Sequence, residues 1–213
     1  MKMSLRIISK WFTLILVLIL VFVVVLFVSY QNFFACKISC NHTKEASKGL
    51  TQAKIVTYHG ANATYTGPTS LEGSSFENLA VTGPAHLKNI KAHFINITGP
   101  LHVEEVSCGT LQVIGPIQAS HLQVGQAILV GPTKASISKF GNLTITADEI
   151  FLEDSSVGNI TIKKDQDKVQ KLYLRAKTFV KGDIVFESGK GQIIMHKDSL
   201  INGTIKGAQI ETE

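Results

Sequence analysis

Two histidines, His86 and His102, stand 16 residues apart. Imidazoles make a transition-metal site only when the fold brings them together and a third or fourth donor joins them. Continued in steps of 16, their column reads Gln118 and Lys134 and supplies no further ligand. Both therefore read as ordinary surface histidines, and no metal residue is assigned. His59, His93, His121 and His196 fall out of step with them. Acidic chemistry fares no better. Sugar-processing β-helices need carboxylates converging on a groove, whereas Glu104–Glu105 and the pair Asp165 and Asp167 read as solvated edges. No serine elbow, Cys–His pair, phosphate loop or metal signature occurs. The expectation is a protein that is not an enzyme, with no catalytic or cofactor-binding residue and no cofactor.

The interval between the histidines belongs to the whole chain. Gly67-Pro68, Gly83-Pro84, Gly99-Pro100, Gly115-Pro116 and Gly131-Pro132 repeat it and use all five prolines. A fixed short period decides architecture before anything else does. Counting each repeat from its glycine, position 5 holds Ile55, Leu71, Leu87, Val103, Ala119 and Ala135. Position 13 holds Ala63, Leu79, Ile95, Leu111, Ala127 and Leu143, and position 15 holds Tyr65, Val81, Ile97, Val113, Leu129 and Ile145. The inward positions are thus 5, 8, 10, 13 and 15: pairs two apart, joined by steps of three. Two is the strand period, and the extra residue in each longer step turns a corner. The fold class predicted is all-β, a single-stranded β-solenoid (β-helix) of 16-residue coils whose strands pair in parallel with their equivalents one coil away. Seven such coils over 51–163 would make a rod of about 34 Å.

Column chemistry fits stacking. Proline lacks the N–H a ladder needs and suits a corner, and the glycine before it permits unusual backbone angles. Gly109, Gly125, Gly141 and Gly158 mark a second corner at position 11. Position 12 reads Asn62, Asn78, Phe94, Thr110, Gln126, Asn142 and Asn159, and position 6 alternates Glu72, Lys88 and Glu104. Phe76 and Phe140 are large where Ser74 and Ser138 are small, as volume compensation requires. Six N-x-[ST] sequons occur, at Asn41, Asn62, Asn96, Asn142, Asn159 and Asn202. Three share position 12 with threonine at 14, so they read as by-products of the repeat. One extra residue near Ala147 shifts the frame, after which Leu152, Val157, Ile160 and Ile162 resume it. Residues 164–213 read as irregular C-terminal coils and a tail. Lys163–Lys171 is a solvated loop, Thr178–Ile184 and Ser199–Ile205 echo each other at 21 residues, and 206–213 is a frayed tail or a cap.

Charge separates the two ends of the chain. Lys2, Arg6, Lys10, Lys37, Lys44 and Lys48 face Glu45 alone, while residues 51–213 balance 15 basic against 15 acidic side chains. A balanced domain gives no electrostatic case for nucleic acid. Trp11–Tyr30 is free of charge and flanked by interfacial aromatics, the signature of a single-pass transmembrane helix. It exceeds the roughly 7–15 apolar residues of a signal-peptide core. The division is a cytoplasmic tail over 1–10, the membrane helix over 11–30, a juxtamembrane linker over 31–50, then the solenoid. The excess of positive charge before the span is small. It puts the C-terminal domain on the extracytoplasmic side (periplasm or cell surface), with the cytoplasmic side as the alternative. Cys36 and Cys40 could pair or be acylated, and Cys108 falls at a core position.

The C-terminal stretches Phe179–Gly191, "FVKGDIVFESGKG", and Leu200–Ile210, "LINGTIKGAQI", resemble the short Gly-Asp-Ile and Gly-Thr-Ile coils of bactofilins. That resemblance implies a polymer-forming, membrane-associated bacterial scaffold. Taken with the periodicity, it predicts a membrane-anchored structural element that self-associates through its solenoid ends. The alternative is an exported, adhesin-like binding module whose flat faces meet a partner.

Overall fold

Each repeat folds as one long strand and one short strand. Ser107–Ile114 is eight residues and Ile117–Ser120 is four, and in both, buried residues alternate with exposed ones. The protein is described by a computed structural model over residues 60–165 and 168–213, and these coils belong to a compact unit, Gln52–Glu213. The long strands and their successors stack into an 11-stranded sheet, the short ones into a 9-stranded sheet, and every pairing is parallel. Among the described residues, nine short strands count nine coils. Register follows the columns: Leu111 pairs with Ile95 on one side and Ala127 on the other. The frame shift falls where the columns require it, so that Ala135 pairs with Leu152 and Ile145 with Ile162.

The core has six inward positions per coil, one more than periodicity predicts. Position 3 is buried at Ala85, Leu101, Ile117, Thr133 and Ile150 and half-buried at Thr69. Small or polar Ala85 and Thr133 dilute its apolar signature, and it sits directly after the proline step. The inward pairs 3/5, 8/10 and 13/15 therefore line three sides, separated by three corners. Leu79, Leu87, Ile95, Ile97, Leu143, Ile145 and Leu152 are wholly enclosed.

The corners differ in kind. At the Gly-Pro corner the glycines hold φ between 100° and 146°, and a Cβ on Gly83 would lie 2.7 Å from the Gly67 carbonyl oxygen. Both conditions exclude other residues. At position 11 the reason is proximity alone: a Cβ on Gly109 would lie 2.8 Å from the His93 carbonyl oxygen. The third corner, at position 7, has no fixed residue type, which hides it from a periodicity search. Gly73, Asn89, Glu105, His121, Ile137, Asp154 and Ala176 all take left-handed angles there, with φ between 46° and 64°.

That corner explains the serines beside it. Ser138 Oγ donates to the Ser136 carbonyl at 2.8 Å and accepts the Leu122 N–H at 3.2 Å. Ser155 Oγ does the same with Glu153 (2.7 Å) and the Ser138 N–H (3.1 Å). Ser74 and Ser138 do accompany the buried rings of Phe76 and Phe140, yet volume is not their whole purpose. Buried backbone groups at a sharp turn need partners, and the hydroxyls supply them.

The C-terminal part is more regular than the sequence suggests. Lys171–Arg175, Gly191–Met195 and Ala208–Thr212 continue the short-strand sheet. The 21-residue echo is a true register, pairing Phe179 with Leu200 and Ile184 with Ile205. Residues 208–212, expected as a frayed tail or cap, form the last strand, because their backbone finds partners on Gly191–Met195. The loop before Lys171 is exposed at Lys163, Lys164, Lys168 and Val169. It is closed from inside by Gln170, fully buried, whose Nε2 donates to the carbonyls of Lys163 (2.8 Å) and Ala147 (3.1 Å). The expected membrane helix over 11–30, with 1–10 and 31–50, lies outside the described residues. Among those described, no helix is long and apolar enough to cross a membrane.

Candidate interaction surfaces

The outer face of the short-strand sheet carries positions 2, 4 and 6. Pro68, Pro84, Pro100 and Pro116 form one wall of a shallow groove of about 520 Å³, and His86, His102 and Gln118 help line it. A strand alternates its side chains, so residues two apart share this face. His86 and His102 are register partners, and their rings meet edge to face with centroids 4.9 Å apart. The stacking read from their spacing is thus present. A third donor comes from another column: His102 Nε2 and Glu104 Oε1 lie 3.2 Å apart. One ligand atom each from His86, His102 and Glu104 falls within 4.8 Å of the others. Following position 4 alone passes over Glu104; looking two residues along the same strand finds it.

Beside this cluster the position 6 charges pair as alternation predicts. Lys88 Nζ lies 3.2 Å from Glu72 Oε1, and that hydrogen bond, then the charge of Glu72, raises the Lys88 ammonium above its ordinary pKa. Farther along the same sheet Phe151 and Tyr173 stack at 4.4 Å with planes 7° apart, and the Arg175 guanidinium lies 5.5 Å from the Phe151 ring centre. These are ladder contacts of the kind that hold neighbouring coils in register.

On the long-strand sheet, Asn78 Nδ2 donates to Asn62 Oδ1 at 2.7 Å, and Asn159 Nδ2 to Asn142 Oδ1 at 3.0 Å. Among the sequon asparagines of position 12, Asn62 and Asn142 thus accept through Oδ1, while Asn159 gives its Nδ2 to the ladder. Asn96, at position 14, and Asn202 are exposed outside it. Cys108 is a buried, free thiol, and burial pushes its pKa up to about 12, which keeps it unreactive at neutral pH. Asp183 accepts the Thr204 backbone N–H at 2.8 Å, and this bond holds its carboxyl below the ordinary value.

The C-terminal end presents a different surface. The strand Ala208–Thr212 pairs with Gly191–Met195 on one side and with no other described strand. Ile210 is the register partner of Ile193, which is fully buried, yet Ile210 itself is 50% exposed. Ile201, Ile205 and Ala208 pack on the core but are only partly covered, and Leu200 is 55% exposed. Among the described residues, none pairs with the outer edge of Ala208–Thr212, and the apolar side chains beside it are only partly covered. No family model matches the chain, and no curated protein or solved structure matches it either, so the likeness to bactofilins rests on the solenoid coils alone.

Proposed function

We propose that this chain is a membrane-anchored, non-enzymatic β-solenoid that serves as a structural scaffold and assembles through its C-terminal coil with a second copy. The parallel solenoid supports a structural role, since its length and stiffness come from stacking itself. The anchor is the charge-free segment over 11–30, and small positive-charge asymmetry sets the solenoid on the extracytoplasmic side. One observation carries the assembly reading: the half-exposed Ile210 at the end of a core whose preceding member, Ile193, is fully buried. An edge strand with unpaired backbone groups beside exposed apolar surface is a template for another strand. Natural edges are blunted with charge, bulges or a covering element; Ala208–Thr212 carries one charge, Glu211.

Sedimentation velocity and negative-stain electron microscopy test this on the full chain in detergent and on residues 52–213. Both preparations should form end-to-end species whose population rises with concentration. Ile210→Lys should hold them monomeric, because it places a charge on the open core end, without lowering the melting temperature of the central coils. A native protein that stays monomeric at high micromolar concentration overturns the assembly reading and favours the binding module.

A further inference from the structure

We infer that His86, His102 and Glu104 form a binding site for a borderline divalent transition-metal cation of the zinc type. The inference is independent of assembly, since the cluster lies on a side face several coils from the open end. Parallel register fixes its base. His86 and His102 sit on adjacent strands, Ala85–Lys88 and Leu101–Glu104, as direct partners. Their Cα atoms are therefore about 4.8 Å apart, and Glu104 stands about 6.6 Å farther along the strand on the same face. Few constellations of three donors are placed so firmly by backbone alone.

The donor set suits the ion. Two imidazoles and a carboxylate are ligands zinc accepts, with bonds of about 2.0–2.2 Å, which puts tetrahedral donors about 3.4 Å apart. The three ligand atoms already lie within 4.8 Å of one another. The remaining closure of about 1.4 Å needs only side-chain rotation; His86 and His102 are exposed and Glu104 is half-buried, so rotation is unobstructed by the core. His102 offers its Nε2 lone pair when its proton resides on Nδ1, and a cation between Nε2 and Glu104 Oε1 takes over the link they now make at 3.2 Å. Pro84 and Pro100, two residues before each histidine, wall one side of the groove, whose open side leaves a fourth coordination position to water.

Electrostatics both favours and limits the site. Glu72, Glu104 and Glu105 all act electrostatically on Lys88, three carboxylates to one ammonium, which leaves a negative balance beside the histidines. Lys88, directly beside Glu104 in the ladder and hydrogen-bonded to Glu72, is the one nearby cation among the described residues. Set one strand over from Glu104, it repels a dication at a separation on the order of 7 Å, and its removal frees Glu72 as well. The ligands and Lys88 therefore have opposite predicted signs.

Isothermal titration of Zn²⁺ into the full chain in detergent at neutral pH tests the site, with Mg²⁺ as a hard-cation comparison. We expect one saturable, chelator-reversible Zn²⁺ site that Mg²⁺ does not compete for. His86→Gln, His102→Gln and Glu104→Gln should each weaken it by at least about tenfold, since loss of supporting groups alone costs that much. Lys88→Gln should tighten it by about two- to sevenfold, the range between screened and unscreened repulsion. All four positions point outward, and unchanged melting without metal verifies that each variant is folded. Absence of saturable binding overturns the site. So does binding indifferent to the two histidine substitutions, which would place the ion elsewhere in the chain. A Glu104→Gln variant that binds as the native chain does, or a Lys88→Gln variant that binds more weakly, refutes the three-donor geometry.

Discussion

Leu111 and Gln112 are neighbours in sequence and opposites in the fold, so a charge placed at each reads the inward register directly. Leu111 is 1% exposed and lies between Ile95 and Ala127, both fully buried. Leu111→Asp forfeits the burial of a leucine side chain, about 1.5–3 kcal/mol. It also leaves an unpaired carboxylate in the core, which costs a further 3–5 kcal/mol or so. The combined loss of about 5–8 kcal/mol is comparable to the whole stability of a domain, about 5–15 kcal/mol. Leu111→Asp should therefore abolish folding at 25 °C. Leu111→Ala, which only opens a cavity, should cost about 3–5 kcal/mol and lower the Tm by roughly 6–20 °C. Gln112 is half-buried on the outer face between Asn96 and Ile128, so Gln112→Asp should cost less than about 1 kcal/mol. Circular dichroism melts of residues 52–213 give the comparison. If the two aspartate variants melt within about 2 °C of each other, the inward assignment of position 13 is wrong.

The Gly-Pro corner predicts a graded response: Gly115 has φ 146°, and its Cβ would enter the Gly99 carbonyl, so Gly115→Ala should cost about 2–4 kcal/mol. Gly189 (φ 68°), outside that corner, has nothing within 4 Å, so Gly189→Ala should cost only about 1 kcal/mol, and equal urea midpoints for the two variants would remove close approach as the reason for Gly115. Asp183 predicts an acid-sensitive last coil. Its folded pKa lies below its ordinary value of 3.8, so its contribution is complete above that value and lost as pH falls through the lower folded one. Melting followed between pH 2 and 5 should show Asp183→Asn with the shallower acid decline; identical declines would refute the role of the Thr204 bond.

The fold was legible because a solenoid repeats one local rule. Columns of Leu, Ile and Val at positions 13 and 15 name the long strand, and the Gly-Pro step marks its end. Each coil contributes an independent reading of the same rule, so noise in one is corrected by the next. What escaped was whatever the rule leaves to other interactions. Position 3 mixes Ala85 and Thr133 with Leu101, Ile117 and Ile150, so no apolar column stands out in the sequence although all five are buried. The left-handed corner at position 7 tolerates Ile137 at φ 48°, a strained choice for a β-branched residue. Stacked coils enforce that geometry whether or not the residue favours it. The last strand, Ala208–Thr212, carries no strong alternation and is defined by its pairing.

The candidate site was half legible for a related reason. Repetition makes the sequence speak in columns, and His86 and His102 appear there as a pair without a third member. Chemistry on a sheet surface needs two directions at once, across strands and along one strand. Only the first is written in the period; the second lies in the i, i+2 spacing of His102 and Glu104, which also describes any two outward residues of any strand. A ladder devoted to stacking alone favours like or complementary side chains in succession, as Asn62 with Asn78, Phe151 with Tyr173 and Glu72 with Lys88 illustrate. The step from Lys88 to Glu104 obeys that rule and so do the two edge-to-face imidazoles, whereas the contact of His102 with Glu104 runs along one strand and does nothing to hold neighbouring coils together. Residues that converge on one point from both directions of the sheet are where a repeat has room for something beyond holding itself together.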